Sequence, residues 1–215
     1  MKNKMNIRKS IPILLLSLLC LCATTEKTKN VLIIGDSISM GYTPFVQKAL
    51  EPGIVVIHNP GNGGSTVRGL DSLDVWIGSQ KWDLIVFNFG LHDLVHKDEQ
   101  NKYNVTGKIT VPVDQYAKNL GKIVARLKKT NAKVMFVTTT VVPENSSGRK
   151  VEDPAIYNKA AKKVMHKKGI QVIDLYKVSE TVHPQNSIPG NVHYTPEGYQ
   201  MLAAPIIKAI QTACQ

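Results

Sequence analysis

A serine follows a buried hydrophobic segment in a pattern that suits a nucleophile. Residues 31–34 are apolar, and Gly35, Asp36 and Ser37 come directly after them. Such a segment, bounded by a glycine, is typical of a strand covered on both faces. A hydroxyl between that strand and a following helix lies near free N–H groups and the positive end of the helix dipole, which favour developing negative charge. Ser37 is therefore a candidate nucleophile; the alternative is that Asp36 and Ser37 only cap the helix.

Three further positions hold the other groups that acyl transfer by a serine needs, namely a base and donors for the oxyanion. Gly64 lies in the glycine-rich segment 59–66 and can offer an unhindered backbone N–H. His92 can donate a ring N–H to the oxyanion. His193, just before the last predicted helix, is the candidate base. Each signal is weak when taken singly, so the case depends on their joint placement.

Five apolar segments alternate with helical ones. Strands are predicted at residues 31–34, 54–58, 82–90, 133–140 and 170–175. Helices are predicted at residues 42–50, 67–80, 112–129, 154–168 and 195–212. Residues 96–111 and 176–191 show no regular period. This order predicts an α/β fold, a parallel sheet with helices on both faces in a flavodoxin-like arrangement.

The predicted fold gathers the candidate residues at one edge of the sheet. Ser37, the segment 59–66 and His92 each follow the carboxyl end of a predicted strand. Ligand sites in such sheets lie beyond these ends, at the point where the strand order reverses. We therefore expect the three segments to share one site.

The first 25 residues have the pattern of a secretory signal. Residues 1–10 hold four basic and no acidic residues, residues 11–22 are almost wholly apolar, and small residues follow at 23–25. The apolar segment is shorter than the roughly 20 residues of a membrane span, although an uncleaved anchor is the alternative. We expect a secreted or periplasmic protein with no stable membrane span after the signal is removed.

Cysteine usage and charge limit what the remaining chain can be. Cys20 and Cys22 fit a lipoprotein signal poorly, because Leu19 and Leu21 stand where a small residue is needed, so lipoprotein anchoring is unsupported. Beyond the signal only Cys214 remains, which leaves no disulfide framework. Residues 26–215 have the length of one domain.

The chain has 27 Lys and Arg against 16 Asp and Glu. The lysines are scattered over predicted helices, which is typical of a solvated face, and no nucleic-acid-binding motif is present. The histidines do not have the spacing of metal ligands. We predict no metal, no cofactor and no nucleic-acid partner, and the sequence does not indicate an oligomeric state.

These segments together resemble the SGNH/GDSL hydrolases, a family of serine esterases, over most of residues 30–210. The matching blocks are residues 35–39, 59–66, 90–93 and 192–199. The resemblance implies a three-layer α/β/α sandwich with a five-stranded parallel sheet of SGNH hydrolase topology. It also implies that Ser37 attacks an ester carbonyl and that His193 accepts and returns the proton. The N–H groups of Ser37 and Gly64 would then hold the oxyanion.

Two positions depart from the family pattern. His92 stands where the family has an asparagine that donates to the oxyanion. An imidazole can still donate one hydrogen bond, but it titrates near neutrality, and it can instead serve substrate recognition. Gly190 stands three residues before His193, where the family has the aspartate of its triad, and residues 182–194 contain no carboxylate.

Three interpretations of the missing aspartate stay open. Asn191 or a backbone carbonyl orients His193, which leaves a Ser–His dyad. Alternatively, Asp93 or Asp174, both at strand ends, substitutes for the acid. The third interpretation is a slow or inactive enzyme.

The sequence thus predicts a secreted, acetylesterase-like carboxylic ester hydrolase that acts on a small ester or an acetylated carbohydrate. One alternative is a lysophospholipase-like lipase, which the polar residues of segment 96–111 disfavour. The other is a catalytically impaired homologue that binds a glycan or a partner, an interpretation that Gly190 and His92 motivate.

Overall fold

The computed structural model describes residues 27–215, so the signal predicted for residues 1–25 lies outside the described part of the chain. The strands are β1 (Lys29–Ile34), β2 (Ile54–His58), β3 (Leu84–Phe87), β4 (His96–Lys97), β5 (Lys108–Ile109), β6 (Lys133–Val137) and β7 (Gln171–Ile173). The helices are α1 (Ser37–Leu50), α2 (Thr66–Ile77), α3 (Val113–Lys128), α4 (Asp153–Lys168), α5 (Leu175–Asn186) and α6 (Pro196–Cys214).

Five strands form one parallel sheet in the order β2-β1-β3-β6-β7. Ile33 of β1 pairs with His58 on one side and Val86 on the other. All four residues of β3 and the last four of β1 are buried, as expected where helices cover both faces of a sheet. The prediction of a five-stranded parallel sheet is therefore confirmed.

Helices cover both faces of the sheet. Helix α6 packs against α1 and α5, while α3 packs against α2 and α4. The molecule thus has the three layers that the resemblance implies. Within residues 27–215, no helix is both long and apolar enough to cross a membrane.

The strand order reverses beside β1. The chain goes from β1 to the edge strand β2 and then returns to β3 on the other side of β1. The segments that follow β1 and β3 therefore separate in different directions, and a crevice opens between them at the carboxyl ends of these strands. Ser37 begins the helix after β1, and His92 follows β3.

Three parts of the predicted secondary structure were wrong. Helix α1 begins at Ser37 rather than residue 42, since the Asp36 carboxylate accepts a hydrogen bond from the N–H of Ile38. Helix α5 occupies a segment predicted to be irregular, and Asp174 caps it. The segment 96–111, predicted to be without period, contains the antiparallel pair β4–β5.

Candidate active site

Ser37 is the first residue of α1 and follows the buried strand β1. The Asp36 side chain accepts from the N–H of Ile38 at 3.0 Å. The first N–H groups of a helix have no acceptor within the helix, so the N–H of Ser37 is available to a ligand. The start of the helix therefore presents the Ser37 hydroxyl and its own N–H together, in a region of positive helix dipole.

The imidazole of His193 lies against the Ser37 hydroxyl, with Nε2 and Oγ 2.8 Å apart. Asn191 settles which ring nitrogen carries the proton. The backbone N–H of His193 donates to Asn191 Oδ1 at 3.1 Å, and Nδ1 of the same residue lies 2.7 Å from that oxygen. Because the oxygen only accepts, Nδ1 must be protonated. Nε2 then has a free lone pair and accepts the proton of Ser37.

A short hairpin supplies this arrangement. Ser187 pairs with Tyr194, and the Ile188 N–H donates to the His193 carbonyl at 2.9 Å. Gly190 takes a left-handed conformation, with φ of 65°, in the turn that the Asn191 N–H closes onto Ile188. The glycine allows this tight turn, and the turn places Asn191 where its side chain meets His193.

Neither candidate carboxylate lies against His193. Asp93 accepts from the N–H and the hydroxyl of Thr66 and is fully buried. Asp174 caps α5 and pairs with Lys162 at 2.7 Å. Of the candidates for orienting the ring, the structure thus places Asn191 beside His193 and holds Asp93 and Asp174 in other contacts.

The glycine-rich loop approaches the serine turn closely. The Gly63 N–H donates to the Gly35 carbonyl at 2.8 Å, and a Cβ added at Gly63 would lie only 2.6 Å from that oxygen. Gly64 has φ of 65°, and its N–H donates to Asn62 Oδ1 at 2.9 Å. The expected oxyanion donor is therefore occupied by Asn62, and the bond must be shared or released before this N–H can serve a substrate.

His92 is half-buried and shares the cleft with Ser37. Its Nε2 lies 3.5 Å from Asn62 Nδ2, a weak contact. Burial lowers the pKa of His92, with Asp36 acting in the opposite direction. The ring is therefore neutral at pH 7, and one ring N–H remains for a ligand.

Burial also lowers the pKa of His193. Asp36 opposes this effect, and the positive charge of Arg149 adds to it. A base with a lowered pKa is unprotonated at neutral pH. His193 is thus in the form that can accept the proton of Ser37.

Ser37 and His193 open onto a cleft of about 330 Å³. Its other lining residues are Asn62, Leu91, His92, Tyr103, Ser146, Ser147, Arg149, Gly190, Asn191 and Val192. Asn62, Tyr103 and Arg149 were not predicted from the sequence as site residues. One feature of the sequence could have identified Asn62, since an asparagine two residues before a glycine commonly accepts a hydrogen bond from the backbone N–H of that glycine. Arg149 had no local signal, because it lies in a loop that only tertiary packing brings to the site.

Possible metal ligands do not cluster in this part of the chain. Between residues 27 and 215, no three side chains of His, Cys, Asp or Glu come together as a metal site requires.

Two known proteins show how this chain is related to others. The chain is 25% identical over 195 residues to an arylesterase of Vibrio mimicus, covering 86% of this chain and 89% of the relative. A lipase/acylhydrolase from Enterococcus faecalis has a similar fold, with a TM-score of 0.71, 23% identity, and coverage of 86% of this chain and 96% of that one.

A variant of Axe2, an acetyl xylan esterase from Geobacillus stearothermophilus, is also similar in fold. The TM-score is 0.70 at 18% identity, covering 85% of this chain and 94% of that one. The model of the GDSL-like lipase/acylhydrolase family matches residues 33–201, which include all four candidate site residues Ser37, Gly64, His92 and His193. The chain belongs to the GDSL-like lipase/acylhydrolase family.

Proposed function

We propose that this chain is a serine esterase in which Ser37 is the nucleophile, His193 the general base and Asn191 the residue that orients the base. Carboxylic ester hydrolysis itself follows from the family. The observation that carries the residue roles is the 2.8 Å contact between Ser37 Oγ and a His193 Nε2 whose lone pair is free.

The reaction begins when Ser37 Oγ bonds to the ester carbonyl carbon and its proton moves to His193 Nε2. The carbonyl oxygen becomes an oxyanion, which the Ser37 N–H at the start of α1 stabilises. The oxyanion then collapses, the bond to the alcohol oxygen breaks, and His193 gives that oxygen the proton. Water, deprotonated by His193, next attacks the acyl group on Ser37, which releases the acid and returns the proton to Ser37.

Two further donors complete the oxyanion hole in this proposal. Gly64 contributes its N–H once the hydrogen bond to Asn62 is shared, and neutral His92 contributes a ring N–H. Removing one such donor typically lowers the rate about 10²–10³-fold. The substitution of histidine for asparagine at position 92 is thus compatible with catalysis.

We further propose that the ester is an O-acetyl group on carbohydrate and that the enzyme is exported. Residues 1–25 carry the sequence pattern of a signal, and the structural neighbour from Geobacillus stearothermophilus is an acetyl xylan esterase. Asn62, Ser147 and Arg149 line the cleft, and their side chains can form hydrogen bonds with sugar hydroxyls.

Hydrolysis of 4-nitrophenyl esters tests the residue roles. Ser37→Ala is expected to lower kcat for the acetate at least about 10³-fold, whereas the exposed serine variant Ser79→Ala should behave as wild type. Equal rates for wild type and Ser37→Ala would reject the serine mechanism. Rates that rise from acetate to octanoate would favour a lipase instead, and a folded wild type without activity on any ester would favour a binding homologue.

A further inference from the structure

We propose that Arg149 in the cleft beside Ser37, with Lys97 and Arg68 in the hollow that adjoins it, forms a carboxylate-binding subsite, and that the substrate is therefore an O-acetylated acidic sugar. This inference rests on the proposed esterase function and names its class of substrate. It concerns the sugar part of the ester, since an acetyl group carries no charge.

Arg149 lines the same cleft as Ser37 and His193. Its Nε donates to the Leu91 carbonyl at 3.0 Å, and Nη1 makes only a 3.4 Å contact with Ser147. Among residues 27–215, no carboxylate lies within 4.0 Å of its guanidinium, and Nη2 has no acceptor there. A half-buried guanidinium held in place with its outer N–H groups unused is well suited to bind a carboxylate.

A second hollow of about 150 Å³ adjoins this cleft and shares His92 and Tyr103 with it. Lys97 and Arg68 line this hollow. Lys97 Nζ lies 5.9 Å from the centre of the Tyr103 ring, and the Arg149 guanidinium carbon lies 5.7 Å from it. Both cations thus lie close to the ring of Tyr103, which borders both hollows.

Arg68 lies in the first turn of α2, beside the glycine-rich loop. A Cβ added at Gly64 would lie 3.0 Å from Arg68 Cδ, so the arginine stem passes directly beside the expected oxyanion donor. Arg149 thus lines the cleft of Ser37, while Lys97 and Arg68 line the hollow that adjoins it at His92 and Tyr103.

No acidic residue lines either hollow to balance these charges. Asp98 and Glu99 follow Lys97 in the chain and line a further hollow that Lys97 also borders, but neither makes an ion pair with Lys97 within residues 27–215. Asp36, whose charge acts on Arg149 and His92, is buried and lines neither hollow. Positive charges that outnumber negative ones around a cleft produce a local positive potential that attracts anions. Within residues 27–215, Lys97 Nζ makes no ion pair, so its charge is available to a bound anion.

Acetate release from two acidic substrates and their neutralised forms tests the proposal. The substrates are an O-acetylated oligogalacturonide and O-acetylated N-acetylneuraminic acid, each compared with its own carboxyl methyl ester. Wild type should prefer the free acid of at least one substrate by about tenfold or more in kcat/KM, because charge-assisted hydrogen bonds are lost in the ester. The preference should shrink as salt is raised.

Arg149→Met and Lys97→Met should each lower this acid-to-ester ratio about tenfold. Lys163→Met, which removes an exposed lysine on α4, should leave the ratio as in wild type. If Arg149→Met fails to fold, Lys97→Met still tests the proposal. The Lys97 side chain makes no hydrogen bond within residues 27–215, so its replacement removes none.

Two outcomes overturn the inference. One is a wild type that releases acetate equally from the acids and their methyl esters. The other is a variant that lowers both rates by the same factor, which would indicate a structural role. In both cases the proposed function would stand if wild type hydrolyses 4-nitrophenyl acetate and Ser37→Ala does not. A folded wild type that does not hydrolyse 4-nitrophenyl acetate would reject the proposed function separately.

Discussion

Asn191 does for His193 only part of what an aspartate does. Its oxygen accepts the Nδ1 proton and fixes the ring orientation through the 2.7 Å contact. It brings no negative charge, so it stabilises the imidazolium that forms during attack less than a carboxylate does. The burial of His193, which lowers its pKa, acts in the same direction. In the proposed mechanism, proton transfer to His193 is therefore less favourable than in a triad with an acid.

Substitution of Asn191 separates these two contributions. Asn191→Ala removes the hydrogen bond and should lower kcat about tenfold to a hundredfold, the range for a bond to a charged group. Asn191→Asp keeps the bond and adds a negative charge, which raises the pKa of His193. The base must be unprotonated, so activity is lost as pH falls through this pKa.

Profiles of kcat/KM against pH measure the effect. Wild type should lose activity only at pH values below the usual titration range of histidine. Asn191→Asp should lose activity at a higher pH than wild type. At pH 8 its kcat should equal or exceed that of wild type. Asn131→Asp adds the same charge far away, in the turn before β6, and should not move the profile. If the Asn191→Asp profile coincides with that of wild type, Asn191 does not orient the base.

At the scale of elements, two packed helices hold the reacting pair together. Ser37 begins α1, His193 lies just before α6, and these two helices are in direct contact. Gly41 of α1 faces the ring of Tyr199 on α6, and an added Cβ would overlap that ring. The close approach of the helices therefore depends on a residue without a side chain.

Gly41→Ala should force the two helices apart. We expect a loss of about 1–3 kcal/mol in the free energy of unfolding, as for overpacked cores, together with a lower kcat because His193 moves away from Ser37. Gly121→Ala is the matched control in helix α3, where a Cβ meets nothing within 4 Å. That variant should gain about 0.5–1 kcal/mol. Urea unfolding and esterase assays of both variants test this, and full activity in Gly41→Ala would contradict it.

Regular elements were predictable where the core dictates their pattern. The five strands of the main sheet were predicted because continuous apolar segments are needed between two layers of helices. Helix α5 was missed although its buried residues Leu175, Ser179 and Val182 have helical spacing, because one of them is polar. The short pair β4–β5 follows no apolar period and depends on tertiary packing.

At the scale of the whole molecule, one buried carboxyl makes stability depend on pH. Burial raises the pKa of Asp93 to about 7, although hydrogen bonds from Thr66 oppose the shift. In the unfolded chain an aspartate titrates at about 3.9. As pH rises between these values the unfolded chain loses the proton and the folded chain keeps it, so stability falls; above about pH 7 both forms are ionised and the loss is complete.

Asp93→Asn should abolish this contribution while it keeps an acceptor for Thr66. Between pH 4 and 7, wild type is expected to lose up to about 4 kcal/mol of unfolding free energy relative to the variant as pH rises. Urea unfolding across this range measures it. A constant difference would show that Asp93 titrates normally.

The candidate site was predictable to the extent that its residues follow strands or begin helices. Ser37 and His193 were expected to meet, and they lie within hydrogen-bond distance, although their catalytic roles stay predictions. Asn191 was one of several candidates, and only the hairpin turn at Gly190 decides that it faces His193. Arg149 could not be predicted from the sequence, because the path of its loop depends on packing between distant segments.

The separation of Ser37 and His193 by 156 positions has a consequence for biosynthesis. Helix α6 (Pro196–Cys214) packs against α1 and comes after every other described element in the sequence. In the proposed mechanism, a nascent chain that still lacks this helix has the serine but no positioned base. Esterase activity is then expected to begin only after α6 has packed against α1.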